Sequence, residues 1–599
     1  MKKYEALKRY FGYEKFRQGQ ENVIDKILSG KEVLGIMPTG AGKSLCFQIP
    51  ALCMDGITIV VSPLISLMKD QVTSLVHSGV RAAYINSSLT YNQYLRAMEN
   101  ARDGIYKIIY VAPERLVTED FIAFAKKVRI SMLTVDEAHC ISQWGNDFRP
   151  SYAKIPEFIE AIGYRPLINA FTATATEKVK LDICRMLGMK PDIVVTGFDR
   201  ENLYFEVRRP ESKQAELIKI LREHPSETGI IYCNTRKNVD TVYEFLSKRN
   251  MNAVKYHAGL SDEERKVNQD TFLYNDDVIM VATNAFGMGI DKPDVRFVIH
   301  YNMPKDMESY YQEAGRAGRD GEKAVCIMLF SYQDVIMDKY LIEQKEYDTE
   351  DEAQLQQLKA QDLARLDFIK NYSNTAMCLR KCILGYFGEQ IDECKNCGNC
   401  NSKFRVSDEK KKAKAVISCI SSLRTKFGKT MIADILCANP NDKIEEWGLD
   451  RLESYGALSF ASAKEVKAVI DEMIFRGYLE INPGLYPTLS VTEEGLKFYK
   501  SDEGMFVHIL EKVEKKKETV YTNEAPGLFA LLREERARIA RVQGVPAFVV
   551  FADAALHDMC RKMPANKAEF LNVSGVGSAK ADKYGKQFID VIKKYKERI

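Results

Sequence analysis

The stretch MPTGAGKS, residues 37–44, follows the apolar segment EVLGI (32–36) and precedes LCFQIPAL (45–52). A Gly-rich turn between a strand and a helix aims successive backbone N–H groups at phosphate. Gly40 and Gly42, next to Thr39, permit the close approach. Lys43 supplies a point charge for the β- and γ-phosphates, and Ser44 offers a hydroxyl to Mg²⁺. The strict form of this loop opens on Gly, where this chain has Met37.

Further along, ITIVVSP (57–63), YKIIYVAPE (106–114), SMLTVDEAH (131–139), TGIIYCNTR (228–236), DVIMVATNAFG (277–287) and VRFVIHYNMP (295–304) read as buried strands. Each ends in Gly, Pro, Ser or Asn and runs into a helical stretch, the mark of parallel α/β units. Residues 1–340 are too many for one such sheet, so the pattern predicts two lobes joined near 200–210 through GFDRENLYFEVRRPESKQ. In the first, Asp136 ends an apolar strand, where a metal-holding carboxylate must stand, and Glu137 beside it can polarise a water. In the second, QEAGRAGRDG (312–321) sets Arg316 and Arg319 three apart, so both can share a helix face. Guanidinium forks match phosphate oxygens, and an arginine supplied across a cleft stabilises a transferring phosphoryl group.

Length and composition bound the rest. The 599 residues suggest about four domains at roughly 150 residues each. With 46% hydrophobic and 28% charged residues, the chain is neither collagen-like nor largely disordered. No apolar run reaches the roughly 18 residues of a spanning helix, and the N-terminus has no apolar signal region. The reading is therefore cytoplasmic. Lys+Arg 86 against Asp+Glu 83 leaves net +3, so any nucleic-acid footprint is local. Of the 14 Cys, three form C-x₂-C-x₂-C at Cys394, Cys397 and Cys400, which with so few His favours structural Zn²⁺ over a redox pair. The fourth thiolate lies upstream, and spacing alone does not choose between Cys378 and Cys382.

DEAH (136–139), SPLISLMKDQ (62–71), FTATAT (171–176), ATNAFGMGIDKPDVR (282–296) and QEAGRAGRDG resemble the ordered motifs of superfamily 2 helicases. FGYEKFRQGQ (11–20) and HCISQWGNDFRP (139–150) resemble, more closely, the RecQ family of DNA helicases. The resemblance implies two RecA-like parallel-sheet lobes with ATP between them, a helical zinc-binding subdomain, a winged helix and a small all-α domain. It implies that Gln20 reads the adenine edge with Arg17 and Tyr13 beside the base. It implies that Lys43, Ser44 and Asp136 hold phosphates and Mg²⁺, that Glu137 activates water, and that Gln312, Arg316 and Arg319 sense the γ-phosphate, with Arg319 the favoured finger. It places Trp144, Phe148 and Arg149 in an aromatic-rich loop that couples single-strand contact to hydrolysis; there the family pattern leads to His, where this chain has Asn146. Ser62, Asn234, Thr235, Arg236 and Thr283 are implied backbone-tracking positions. Cys378 is selected as the fourth zinc ligand. Tyr486, in the hairpin GYLEINPGLYPTLSVT (477–492), is the implied strand-separating aromatic.

The expected divisions are 1–205 and 206–340 for the lobes, 341–403 for zinc, 404–510 for the winged helix, 511–525 for a charged linker and 526–599 for an HRDC-like helical domain. Lys410, Lys411, Lys412 and Lys414 are expected to favour duplex phosphates. The turn SGVGSAK (574–580) is read either as a phosphate cradle or as a tight helix junction. The implied function is an ATP-dependent DNA helicase, moving 3′ to 5′ in DNA repair and recombination. Its implied partners are single-stranded and forked or overhanging duplex DNA, single-strand-binding protein and other repair factors, with no membrane. Bound to DNA, it would lie at the nucleoid. The alternatives are an ATP-dependent RNA helicase and a non-catalytic nucleic-acid-binding scaffold.

Overall fold

A computed structural model of the chain describes residues 1–38, 40–142, 148–286, 292–345, 347, 351–482, 488–511 and 527–597. Thr39, Trp144, Asn146 and Tyr486, all singled out above, lie outside the described residues. The chain divides into two compact units, one of Met1–Ser373, Cys378–Gly398 and Thr519–Ile599, the other of Asn374–Met377 and Asn399–Glu518.

The first unit holds two parallel sheets. One is built from β1 (Val33–Ile36), β2 (Ile57–Val61), β3 (Ala82–Ile85), β4 (Ile108–Val111), β5 (Ile130–Val135), β6 (Leu167–Thr172) and β7 (Asp192–Val195). Their order is β3-β4-β2-β5-β6-β1-β7. β1, β2 and β4 are buried at every residue, as parallel strands covered by helices on both faces require. Register sets the site. Ile36 pairs with Thr172 and Val195, and Val61 with Val135, so the loops that follow β1, β5 and β6 leave one edge together. The crevice at the carboxyl ends of such strands is where ligands bind.

The second sheet is built from β8 (Leu203–Arg208), β9 (Gly229–Tyr232), β10 (Ala253–Tyr256), β11 (Ile279–Ala282), β12 (Phe297–His300) and β13 (Ala324–Leu329), ordered β10-β11-β9-β12-β13-β8. The expected division at 205 falls inside β8, which pairs with β13 along its whole length; the break between lobes comes before Leu203. All six strands quoted from the sequence form. The helices Glu352–Asn374 and Leu379–Tyr386 follow the second sheet. The latter is anchored by buried Arg380, which pairs with Asp199 and donates to Arg200 O at 2.7 Å. Phe387 stacks on Phe198 at 4.6 Å.

The last helices of this unit, Leu528–Gln543, Asp553–Lys562 and Ser578–Lys596, close over Leu532, Leu556, Tyr584 and Phe588. They also touch both lobes. Gly575 N–H donates to Gly12 O at 3.2 Å, and Ser578 Oγ to Arg9 O at 3.1 Å. Gly12 has φ +72, and a Cβ there would lie 2.3 Å from the Val576 carbonyl carbon, so only glycine admits this contact. On the other lobe, Asp276 lies 3.3 Å from Arg533 and 3.2 Å from the buried Arg536. The SGVGSAK turn is thus a docking surface for the first lobe.

The second unit packs the helices Lys410–Ser422, Lys429–Cys437 and Ala463–Phe475 around Ile417, Ile435, Val469 and Met473, with an antiparallel hairpin of Leu479–Asn482 and Thr488–Val491. Three of its four expected phosphate-facing lysines have local partners: Lys410 is 2.9 Å from Asp502, Lys412 2.9 Å from Glu409, and Lys414 donates to Ser501 O at 2.8 Å. Among the described residues, no helix is long and apolar enough to cross a membrane.

Candidate nucleotide site and metal centre

The loop after β1 turns into the helix Lys43–Cys53 through Gly40 (φ +84) and Gly42 (φ +81). Lys43 Nζ lies 3.0 Å from Asp136 Oδ1 and 2.8 Å from Glu137 Oε1. Burial opposes a charge on Lys43, but the two carboxylates outweigh it and hold its pKa above the ordinary value. Burial pushes Asp136 up. Glu137 is pushed up by burial too, yet Lys43 prevails and holds it below the usual carboxylate range. The two carboxylates are therefore pushed in opposite directions, with Lys43 keeping Glu137 in its charged form. Glu137 also has φ 48, a left-handed backbone that costs a non-glycine residue about 1–3 kcal/mol and that clusters at functional sites. Its own N–H donates to Asp136 Oδ1 at 3.0 Å, and Tyr152 OH donates to Asp136 O at 2.8 Å, which fixes the corner.

From this corner a polar chain reaches the second lobe. His139 Nδ1 is 3.4 Å from Glu137 Oε2 and 2.9 Å from Thr172 Oγ1. Thr172 Oγ1 donates to Thr174 O at 2.9 Å, and Gln312 Nε2 donates to Thr174 Oγ1 at 3.2 Å. The buried His139 and the Thr172–Thr174 pair carry a connection that the sequence motifs marked only as strings.

A cleft of about 320 Å³ runs between the lobes, lined by Tyr13, Arg17, Gln20, Lys43, Ser44, Asp136, Glu137, Gln312, Arg316 and Arg319. The structure thus brings every described nucleotide-site residue of the sequence reading to one place. Arg17 Nη1 donates to Gly40 O at 2.6 Å. Gln20 is buried with its amide engaged: Oε1 accepts from Arg17 N–H at 2.8 Å, and Nε2 donates to Ala41 O at 3.2 Å and Gly42 O at 3.0 Å. Pairing with a base edge calls for an exchange of these bonds. Arg316 is buried, and its Nε has no hydrogen-bond partner among the described residues. An orphaned buried guanidinium N–H on a side chain that lines the nucleotide cleft fits an anionic ligand. Ser44 and Asp136, both in the cleft, form the donor pair that fits Mg²⁺ on a triphosphate.

The expected nucleic-acid positions fare unevenly. Ser62 is wholly buried at the end of β2, so its side chain is enclosed and not presented to a strand; Thr283 is buried as well. Thr235 caps the helix Arg236–Ser247, accepting from Asn238 N–H, and Asn234 Nδ2 donates to Asp338 Oδ1 at 3.2 Å. Arg236 is exposed and Phe148 half-buried. Arg149 Nη1 donates to Pro63 O at 2.9 Å, which joins the end of the aromatic-rich segment to a residue lining the nucleotide cleft.

Ligand atoms of Cys378, Cys394, Cys397 and Cys400 all lie within 4.8 Å of one another, and Cys382 is outside the set. Four thiolates at that spacing fit tetrahedral zinc. Cys378 caps the helix Leu379–Tyr386, and its Sγ accepts from the N–H groups of Lys381 and Cys394 at 3.4 Å each.

Family models match the chain in order: DEAD/DEAH box helicase over residues 17–181, helicase conserved C-terminal domain over 212–321, RecQ zinc-binding over 332–401, RQC domain over 403–518 and HRDC domain over 525–592. The chain is 43% identical over 592 residues to the ATP-dependent DNA helicase RecQ of Bacillus subtilis, covering 98% of each chain. It is 36% identical over 602 residues to the protein of the same name from Pasteurella multocida, covering 99% of this chain and 94% of that one. A putative ATP-dependent RNA helicase of Acanthamoeba polyphaga mimivirus is 39% identical over 513 residues, covering 82% of this chain and 91% of its own.

Proposed function

The chain belongs to the RecQ family of ATP-dependent DNA helicases, and on that premise we propose how its residues divide the reaction. It hydrolyses ATP with Mg²⁺, carries zinc on its cysteine cluster and acts on DNA. When bound, Mg²⁺ would neutralise charge on the phosphates of ATP. Lys43 leaves its carboxylates to meet the same phosphates, and Ser44 and Asp136 hold the ion. Glu137, released from Lys43, accepts the proton of the attacking water. Arg316 and Arg319 meet the γ-phosphate from the second lobe, and Gln312 carries its presence through Thr174 to His139. The adenine rests beside Tyr13, Arg17 and Gln20.

Closure of the lobes on ATP and reopening after hydrolysis would move a single strand 3′ to 5′ across Trp144, Phe148, Arg149, Asn234, Thr235 and Arg236, with Tyr486 at the fork. Forked and overhanging duplexes are the proposed substrates, repair and recombination the proposed setting. Single-strand-binding protein is a proposed partner, and the cytoplasm, at the nucleoid when on DNA, the proposed location. The lobes, zinc module, winged helix, linker and HRDC-like domain are proposed to divide near 202, 340, 403, 510 and 525.

The reading is carried by one observation: Lys43, Asp136 and Glu137 of one lobe share a cleft with Gln312, Arg316 and Arg319 of the other. The test is ATP hydrolysis at one fixed, moderate salt concentration with no nucleic acid, with single-stranded DNA and with RNA of the same sequence, since phosphate binding depends steeply on salt. Strong stimulation by DNA alone is expected. Equal stimulation by RNA would overturn the substrate assignment, and stimulation by neither would overturn the coupling.

A further inference from the structure

Arg200 lies on the link between the lobes, between β7 and β8 and between the residues matched by the two helicase-domain models. Its guanidinium donates to three carbonyls of one short loop: Gly315 O at 3.3 Å, Ala317 O at 3.0 Å and Gly318 O at 2.7 Å. That loop carries Arg316 and Arg319. Asn202 reinforces it, donating to Gly318 O at 2.9 Å and Glu322 O at 2.8 Å. The other side of Arg200 faces the phosphate loop. A Cβ on Gly40 would lie 2.5 Å from Arg200 Nη1 and 3.3 Å from Arg319 Cγ, so both arginines close on the same glycine. The backbone of Arg200 is itself pinned, its carbonyl accepting from Leu203 N–H at 3.0 Å and from Arg380 Nη1 at 2.7 Å. Burial lowers its pKa, and Arg319 and Arg17 lower it further, as expected where cations gather around a loop that receives an anion.

We infer that Arg200 is a positioning residue for ATP hydrolysis, holding the Gly315–Gly318 backbone so that Arg319 reaches the γ-phosphate across the cleft. The inference rests on the reading of Arg319 as the finger. A lysine cannot replace it, because a point charge on a flexible stem does not span three carbonyls as a planar five-donor fork does. Arg200 needs no contact with substrate for this role; it acts through the loop it holds.

The test is DNA-stimulated ATPase of the full chain with R200A, R200K, R319A and the double variant R200A/R319A, each with its KM for ATP and a thermal melt. R319A is expected to lower kcat at least about 100-fold. R200A is expected to lower kcat roughly 30-fold with KM changed less than about threefold, and R200K to recover only a small part. The double variant should be no slower than R319A, since one residue acts through the other. A near-parent kcat in R200A, a rise in KM alone, or multiplied losses in the double variant would overturn the inference. If R200A does not fold, R200K carries the test: near-parent kcat in a folded R200K overturns it, and a loss of about tenfold or more supports it. An R319A at parent rate would instead overturn the finger reading, and this inference with it.

Discussion

The first lobe meets the cleft with its buried cation already paired: Lys43 sits 3.0 Å from Asp136 and 2.8 Å from Glu137. The second lobe and the link before it bring Arg316, Arg319 and Arg200, and the bonds that hold Arg200 run to backbone carbonyls. Both lobes are parallel sheets, the first presenting loops from the carboxyl ends of β1 and β5 and the second from the amino ends of β8 and β13, but the edge alone does not explain the contrast in charge. Electrostatics does. A corner whose buried cation is held between two carboxylates keeps its shape before the triphosphate arrives. Buried guanidinium N–H groups that lack a partner, such as Arg316 Nε, gain most when an anion enters. On the proposed reading, ATP would draw Lys43 from its carboxylates and add counter-charge for the arginines of the second lobe.

The largest break would come from Lys43→Ala. It removes the phosphate-loop cation and leaves Asp136 and Glu137 side by side without it. Steady-state ATPase should fall by at least about 10³-fold, with loss of ATP binding in a fluorescent-nucleotide titration. Stability should fall as well, since breaking a buried ion pair from one side costs about 3–5 kcal/mol. Retained ATP affinity would show that the first lobe is not where phosphate is first held. Arg316→Ala should differ in kind. It removes a group matched to the reacting phosphate, so kcat should fall about 10²-fold while ATP affinity changes little. Equal losses of affinity in both variants would erase the distinction between the lobes.

A smaller effect on chemistry is expected from the zinc site, and it should fall on the second lobe alone. Arg380, two residues after Cys378, holds the carbonyl of Arg200, so the thiolate cluster stands behind the arginine loop and not behind Lys43. Cys397→Ser removes one of four ligands from a site of the kind that contributes about 10–16 kcal/mol to local folding. Zinc content measured on purified protein should drop, with poor solubility. In the soluble fraction, kcat should fall about tenfold with ATP affinity near the parent value. Unchanged zinc content would remove Cys397 from the ligand set.

The sequence made the central strands legible because Ile57–Val61 and Ile108–Val111 are buried on both faces and so read as unbroken apolar runs. Ala253–Tyr256 is half-buried throughout and Asp192–Val195 buries only Val194; such edge strands carry no run to read. The nucleotide residues were legible because phosphate chemistry fixes residue type and spacing within short stretches. Arg200 was not, since its role exists only where residues 200, 315–318 and 40 meet in space. Gln20 was legible as a site residue, but its bonds to Ala41 and Gly42 were not. Spacing left Cys378 and Cys382 open; the family resemblance selected Cys378, and the fold brings Cys378 to the other three thiols. Ser62 is a backbone-tracking position by resemblance, and only the packing of β2 between β4 and β5 shows it enclosed.

The finest difference between the lobes is a titration. Asp338, in the second lobe, is 5% exposed; its Oδ1 accepts from Asn234 Nδ2, and its Oδ2 has no partner among the described residues. Nearby Asp334 keeps its charge company with Lys213 at 2.7 Å. Burial, and then the charge of Asp334, push Asp338 up to about 8 from an ordinary 3.8. Between those values the folded protein holds a proton that the unfolded chain has released. Stability therefore falls as pH rises from about 4 to about 8 and levels off above. Asp338→Asn abolishes that titration while keeping a carbonyl oxygen for Asn234. Thermal melts at pH 6 and pH 8.5 should show the variant gaining on the parent by about 3 °C across the interval. Parallel curves would mean that the carboxylate is already ionised in the folded protein. The second lobe would then carry a buried charge beside Asn234, and the contrast with the ion-paired first lobe would extend from its cleft into its core.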